Sequence, residues 1–190
     1  MPTVSSEYIE QVIATGVAPY LKKLGFSRRG RRFLLADGLS TANVTVQASR
    51  WNTPSCTRFT LNLGRYFEAI ERKMPIVLEP SKQRPHHIGS RIGVLLPTRG
   101  DHWWSISKDE DIPVVTSEVV AALRDYGMPY LESVATLQGV AELSGFIPGF
   151  GPRPTLVKAA ALELLGRDRE AEEVRRELSR RVKTSSNDGE

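Results

Sequence analysis

Two short stretches with alternating side chains constrain the fold of this chain more than any other feature. Residues 44–48 and residues 59–63 each alternate an apolar residue with a polar one. A period of two places every apolar side chain on one face of a β-sheet and every polar side chain on the other. We therefore predict an antiparallel sheet with one face against a core and one face in water. A binding site should lie on the polar face or at its rim.

Sequence patterns on either side of these stretches indicate the remaining elements. Apolar residues spaced three or four apart predict a helix from Ser5 or Ser6 to Leu24, which Pro19 should kink or divide near Val17. The other predicted elements are strands at 32–36, 43–50, 57–66 and 91–96, a fifth strand or an edge loop at 101–106, and helices at 112–127 and 129–143. The predicted fold class is α+β, with an antiparallel sheet of four or five strands and the helices packed on one face.

The end of the chain differs in composition from the part that precedes it. Residues 144–154 are rich in Gly and Pro, which is typical of a linker. Beyond them, 155–165 and 168–181 have helical periodicity and turn at Gly166, which predicts a helical hairpin. We therefore expect an α+β domain at 1–143, a linker at 144–154, a hairpin at 155–181 and a disordered polar tail at 182–190.

Charge is distributed unevenly along the chain. The formal net charge is +4, but residues 1–110 hold 16 Lys and Arg against 9 Asp and Glu, a net of +7. Residues 111–190 hold 10 against 13, a net of −3. A basic half favours an anionic partner, either an acidic protein or a nucleic acid, although solubility alone also explains such a charge.

The cysteine content and the hydropathy indicate the cellular compartment. Cys56 is the single cysteine, so no disulfide forms within the chain, and we interpret this residue as an inert thiol. Residues 1–10 lack a basic stretch followed by an apolar run, and no apolar run is long enough to span a bilayer. We expect a cytoplasmic protein without a signal peptide or a membrane contact.

Four arginines form the densest positive cluster, around a glycine that should lie at a turn. They are Arg28, Arg29, Arg31 and Arg32. Such a cluster could neutralise several phosphates, which would give salt-sensitive affinity for a nucleic acid without sequence preference. The alternative is a solvated hairpin tip.

The predicted polar face and its rim supply the other candidate binding residues. On or near the two alternating strands these are Gln47, Arg50, Asn62 and Arg65, and at the rim they are His102 and Trp104. An exposed indole can stack on a base, a sugar or an aromatic group. The alternative is that one residue of the Trp103-Trp104 pair fills the core and the other covers a sheet edge. Because arginine forks bind carboxylates as readily as phosphates, an acidic protein partner fits this face.

The sequence carries no recognisable catalytic motif. It has no serine elbow, no lysine-bearing phosphate loop and no dinucleotide glycine fingerprint. The histidine spacing matches no zinc signature, so we expect no metal and no cofactor. A catalytic site, if the protein has one, should lie near Asp101, His102 and the irregular segment 67–90.

A series of short motifs resembles a known family. In order, the chain carries Leu21-x-x-Leu24-Gly25-Phe26-x-Arg28-x-Gly30-x-x-Phe33, Val44-x-Val46-Gln47-x-Ser49, Phe59-x-Leu61-Asn62-x-Gly64, Arg91 and Trp103-Trp104. Over about residues 5–140 it thereby resembles the bacterial domain of unknown function 4304 family. The resemblance implies a small bacterial α+β protein. It implies no activity, cofactor or catalytic residue.

Taken together, these patterns favour a non-catalytic protein-binding or regulatory module that uses the polar sheet face. The alternatives are a nucleic-acid binder that uses the cluster at 28–32 and an enzyme with a site near Asp101 and His102.

Overall fold

The computed structural model describes residues 4–53, 55–74, 86–143 and 153–187. Six strands lie in these ranges: β1 (Ser27–Arg29), β2 (Arg32–Ala36), β3 (Ser40–Ala48), β4 (Thr57–Phe67), β5 (Ile88–Arg91) and β6 (Trp104–Ile106). The helices are α1 (Val4–Val12), α2 (Ala18–Lys23), α3 (Glu68–Lys73), α4 (Ile92–Leu95), α5 (Asp111–Ala122), α6 (Met128–Ser133), α7 (Leu137–Ala141), α8 (Arg153–Leu164) and α9 (Asp168–Asn187). The predicted α+β fold is confirmed.

Contacts within the chain divide it into two compact units. The first consists of residues 1–64 and 89–132, and the second of residues 65–88 and 133–190. This division differs from the domain boundaries expected from composition, which stay a prediction. Residues 144–152 of the predicted linker lie outside the described residues, and residues 153–154 already belong to α8.

Among the described residues the sheet has six strands, and it is antiparallel where its register is defined. The strand order is β1-β2-β3-β4-β5, and β6 also pairs with β4. The β2–β3 and β4–β6 pairs are antiparallel, with Phe33 opposite Val44 and Phe59 opposite Trp104. Strand β6 lies within 101–106, where a fifth strand or an edge loop was expected, and the short β1 was not predicted. The predicted strand at 91–96 is wrong, because β5 ends at Arg91 and residues 92–95 are helical.

The core of the first unit lies between the apolar face of the sheet and two long helical segments. The two alternating stretches provide its sheet side, since Val44, Val46, Phe59, Leu61 and Leu63 are all buried, which confirms the predicted inward face. The same cluster contains the apolar side chains Ile9, Val12, Ile13, Val17, Leu21, Val115, Val119 and Leu123 of the helices. The opposite face of the sheet is therefore the polar one.

Both long helical segments contain a π-helical turn just before a proline. In residues 13–17 and again in 123–127 the turn closes with a bond from a backbone N–H to the carbonyl five residues earlier, Ala18 to Ile13 and Met128 to Leu123. Pro19 and Pro129 follow these turns. Proline clashes with the carbonyl four residues before it, and a π-turn relieves that clash by shifting the ladder. The predicted kink near Val17 is thus a π-turn.

The expected helix end at Gly127 is wrong, because the segment continues without a break into α6. Gly127 serves close packing instead: a Cβ at this position would lie 2.9 Å from Cδ2 of Leu63. Glycine here permits the approach of helix and sheet and does not stop the helix.

The second unit contains the predicted helical hairpin. Helices α8 and α9 turn at Gly166, which has a φ of +74° that favours glycine. Ala159, Leu162 and Ala171 are buried together with Ala141 of α7. Helix α9 continues to Asn187, further than the expected hairpin end at residue 181. In the described ranges, no helix combines the length and apolar character that a bilayer span needs.

Candidate binding surface

Backbone pairing determines which side chains share the polar face of the sheet. Arg29 pairs with Arg32, Arg32 with Thr45, and Arg58 with Ser105. Paired residues point to the same side of a sheet, and so do residues two apart along one strand. The polar sheet face of the first unit therefore carries Arg29, Arg32, Thr45, Gln47, Arg58, Asn62 and Ser105.

Gln47 and Asn62, two of the predicted binding residues, meet on this face. The side-chain amide of Asn62 donates a hydrogen bond of 2.7 Å to Oε1 of Gln47 across β3 and β4. Gln47 is exposed and Asn62 is half-buried. The pair is ordered and accessible, so its remaining donors and acceptors can reach a ligand.

The structure divides the cluster of four arginines into two pairs with different environments. Arg28 donates from Nη2 to Oε2 of Glu10 at 2.6 Å, and Arg31 donates from Nε to Oε1 of the same carboxylate at 2.9 Å. Arg31 also donates to the hydroxyl of Ser6. These two side chains therefore hold the β1–β2 hairpin to α1. They are not positioned together with Arg29 and Arg32 as one phosphate-binding cluster.

Arg29, Arg32 and Arg58 have a different environment on the polar sheet face. Among the described residues, none of these three guanidinium groups forms an ion pair or donates a hydrogen bond. Nε of Arg32 is buried and has no hydrogen-bond partner. Like charges directly opposite each other on neighbouring strands are destabilising. The Arg29–Arg32 pair therefore leaves positive charge that an external anion can neutralise.

Arg65 does not lie on this face, which corrects its predicted placement. It is 5% exposed, and its odd position in β4 matches that of the buried Leu61 and Leu63. Strand alternation therefore directs its side chain away from the polar side. Arg50 is exposed beyond the end of β3, and its guanidinium carbon lies 5.1 Å from the ring centroid of Trp51.

The rim residue is Trp103 and not Trp104, so the predicted placement of Trp104 is wrong. Trp104 is 4% exposed, its ring stacks on Phe59 at 5.7 Å, and His102 meets it edge-on at 4.6 Å. The β6 register directs Trp104 into the core and the next residue, Ser105, outward. One tryptophan of the pair thus fills the core, as one of the two sequence-based alternatives proposed.

Asp101 holds Trp103 in place on the rim. Nε1 of Trp103 donates to Oδ2 of Asp101 at 2.9 Å, and Nη1 of Arg91 donates to Oδ1 at 2.6 Å. The guanidinium carbon of Arg91 lies 5.2 Å from the Trp103 ring centroid. These two hydrogen bonds, with a smaller contribution from the charges of Arg91 and Arg58, hold the pKa of Asp101 below its ordinary value. The ionised form of the carboxylate is therefore favoured, and both of its oxygens take part in positioning, which suits a structural group better than a general acid.

Sequence reasoning missed a buried histidine in the second unit. Nδ1 of His87 accepts a hydrogen bond of 2.9 Å from the backbone N–H of Phe67, so the ring proton lies on Nε2, which is 3.0 Å from Oε2 of Glu71. The ring also stacks on Tyr66 at 4.8 Å. The distance in sequence between His87 and these partners leaves no local pattern. Across the described residues, no group of three His, Cys, Asp or Glu side chains is placed to hold a metal ion.

One of three comparisons with known proteins identifies a family for this chain. A search of curated proteins found no match. A search of solved structures likewise found none. A family model matches residues 17–133, which is more than half of the chain and contains the whole polar sheet face, Trp103 and Asp101. The chain therefore belongs to the family described as domain of unknown function (DUF4304).

Proposed function

We propose that the protein is a non-catalytic binding module whose polar sheet face binds an acidic segment of a partner protein. The single observation that carries this proposal is the set of three arginines, Arg29, Arg32 and Arg58, that form no ion pair and donate no hydrogen bond among the described residues. They share one face with the hydrogen-bonding pair Gln47–Asn62. A carboxylate accepts two parallel hydrogen bonds from one guanidinium group, so such a face matches Asp and Glu side chains in charge and geometry.

The alternatives draw less support from the same geometry. A nucleic-acid site at 28–32 would use four arginines, but Arg28 and Arg31 are bonded to Glu10. A catalytic site near Asp101 and His102 would need a carboxyl group that exchanges protons, but Asp101 accepts two hydrogen bonds that stabilise its ionised form. A single cysteine favours a reducing compartment, so we place the module in the bacterial cytoplasm, in a regulatory or adaptor role.

The test uses a fluorescein-labelled oligoglutamate peptide as the acidic probe and fluorescence anisotropy as the measurement. The test variant carries Arg29→Gln, Arg32→Gln and Arg58→Gln together. We expect its affinity to be about tenfold weaker than that of the unmodified chain, because exposed ion pairs contribute about 0.5 kcal/mol each and the loss of three costs about 1.5 kcal/mol.

A charge-matched variant controls for net charge. It carries Arg72→Gln, Arg169→Gln and Arg176→Gln, three exposed arginines on α3 and α9, and it should bind as the unmodified chain does. Equal loss in both variants would show a non-specific charge effect and would overturn the proposal. Tighter binding of a labelled oligothymidylate of equal charge than of oligoglutamate would favour the nucleic-acid alternative instead.

A further inference from the structure

Two Arg–Trp pairs lie at the end of the polar sheet face where β6 joins β4. From them we infer, on the basis of the proposed function, that the acidic segment also carries one large apolar side chain, which packs against Trp103 and Trp51. The face would thus bind an extended segment with its carboxylates on Arg29, Arg32 and Arg58 and its apolar residue at the tryptophan end.

Trp51 is the first part of the argument. It is 75% exposed, and Arg50 covers one of its faces at 5.1 Å. Trp is strongly enriched at the centres of protein interfaces because it supplies a large contact area with few rotatable bonds. The indole of Trp51 is therefore accessible to a partner that packs against its free face.

Trp103 provides a more rigid contact. Its indole N–H is bonded to Asp101, and Arg91 lies over its ring at 5.2 Å while also bonded to Asp101. A side chain fixed in this way loses little conformational entropy when a partner packs against it. The site is thus preorganised, which favours affinity.

Arg58 connects the two tryptophans. It pairs with Ser105, which is two residues from Trp103 in the sequence. The backbone N–H of Arg58 donates at 2.7 Å to Oδ1 of Asn52, the neighbour of Trp51. The backbone segments that carry the two tryptophans therefore lie beside Arg58, whose guanidinium group forms no ion pair among the described residues. A segment that places an apolar side chain here also meets a positive charge.

The width of the sheet defines the length of the segment. From β1 through β2, β3 and β4 to β6 there are four strand spacings, which at about 4.8 Å each give roughly 19 Å. An extended peptide advances about 3.3 Å per residue. A segment that runs across the strands therefore needs about six residues. Its carboxylates for Arg29 and Arg32 would lie at one end, and its carboxylate for Arg58 would lie close to the apolar side chain at the other end.

The test compares two labelled acidic peptides that differ only at one terminal residue, phenylalanine in one and serine in the other. For the unmodified chain, we expect the phenylalanine peptide to bind about tenfold more tightly, as for a well-packed interface anchor. Trp51→Ala and Trp103→Ala should each reduce this preference by several-fold. They should leave the affinity for oligoglutamate, which has no apolar side chain, almost unchanged.

A matched control and a second variant keep the inference falsifiable. Leu39→Ala removes another exposed apolar side chain, 74% accessible, at the opposite end of β3, and it should keep the full preference. Asp101→Asn should weaken the preference for the phenylalanine peptide while it leaves the Trp103 indole in the protein. This variant replaces Trp103→Ala in the test if Trp103→Ala fails to fold. Binding of oligoglutamate with an unchanged preference in all three site variants would overturn this inference alone.

Three other outcomes would also overturn the inference. If oligoglutamate and both peptides fail to bind the unmodified chain, the proposed function falls and this inference falls with it. If Trp51→Ala instead abolishes a concentration-dependent dimer in sedimentation experiments, the tryptophan end binds a second copy of the chain and the inference is wrong. Tighter binding of oligothymidylate than of the phenylalanine peptide would overturn it as well.

Discussion

Arg29 and Arg32 lie directly opposite each other where the β1–β2 hairpin closes. Gly30, at a φ of +61°, supplies the backbone conformation that the two-residue turn between them needs. The turn geometry therefore forces two guanidinium groups onto one face. A like-charge pair costs stability in the free protein and becomes favourable when an anion lies between the two groups.

Arg29→Glu should stabilise the free protein while it abolishes binding of oligoglutamate. The substitution replaces a repulsive cross-strand pair with an attractive one, so we expect the free energy of unfolding to rise by about 0.2–1 kcal/mol. The urea midpoint measures this change. Arg29→Gln, which removes the repulsion without adding an attraction, should give a smaller rise, and a lower midpoint for Arg29→Glu would contradict the account.

The hydrogen bond from the Trp103 indole to Asp101 should not change with pH until the solution is strongly acidic. Because the folded-state pKa of Asp101 lies below the ordinary value of 3.8, its contribution is complete above that value and is lost as the pH falls through the lower one. The chemical shift of the Trp103 indole proton should therefore change with a midpoint below 3.8. Asp101→Asn should remove this transition, and a midpoint near neutrality would show that another group controls the indole.

Gly93→Ala should disrupt the segment that carries Asp101 and Trp103. A Cβ at Gly93 would lie 2.3 Å from the carbonyl oxygen of Gly100 and 2.5 Å from the backbone nitrogen of His102. Backbone atoms cannot rotate away, so we expect a loss of about 3 kcal/mol in the free energy of unfolding. Thermal denaturation provides the measurement.

Gly100→Ala is the matched control for that substitution. Its nearest neighbour, the carbonyl oxygen of Thr98, would lie 3.8 Å from the added Cβ. The free energy of unfolding should stay within about 0.5 kcal/mol of that of the unmodified chain. Equal effects of the two substitutions would contradict the close approach at Gly93.

Gly16→Ala should destabilise the first unit through a contact with Thr116. The added Cβ would lie 2.3 Å from Cγ2 of Thr116, on the helix packed against it. We expect a loss of about 1–3 kcal/mol despite the better helix propensity of alanine. The double variant with Thr116→Ala should recover most of this loss in urea denaturation, and additive losses in the double variant would exclude the contact as the cause.

The alternating stretches predicted the sheet and its inward face correctly because strand periodicity reports burial directly. The orientation of the Trp103-Trp104 pair did not follow from sequence. Two adjacent tryptophans on a short strand have no further alternation to indicate which one is buried, and the register of β6 against β4 decides it. The predicted helix end at Gly127 was wrong for a related reason. The glycine makes room for the side chain of Leu63, and that residue is distant in sequence.

The candidate surface was predicted in part for similar reasons. The alternation within β3 and β4 correctly predicted that Gln47 and Asn62 lie on the polar face, and the structure places them in contact. The division of the arginine cluster depends on Glu10, and no local pattern links this residue to the hairpin. The predicted position of Arg65 on or near the polar face is wrong, because its odd position in β4 gives it the parity of the buried Leu61 and Leu63.

Chemical-shift mapping of the arginine side chains tests the central claim most directly. Addition of oligoglutamate to labelled protein should shift the Nε–Hε signals of Arg29, Arg32 and Arg58, which form no ion pair among the described residues. The signals of Arg28 and Arg31, which are bonded to Glu10, should stay in place. Shifts confined to Arg28 and Arg31, or no shift at the first three, would contradict the assignment of the polar sheet face as the binding surface.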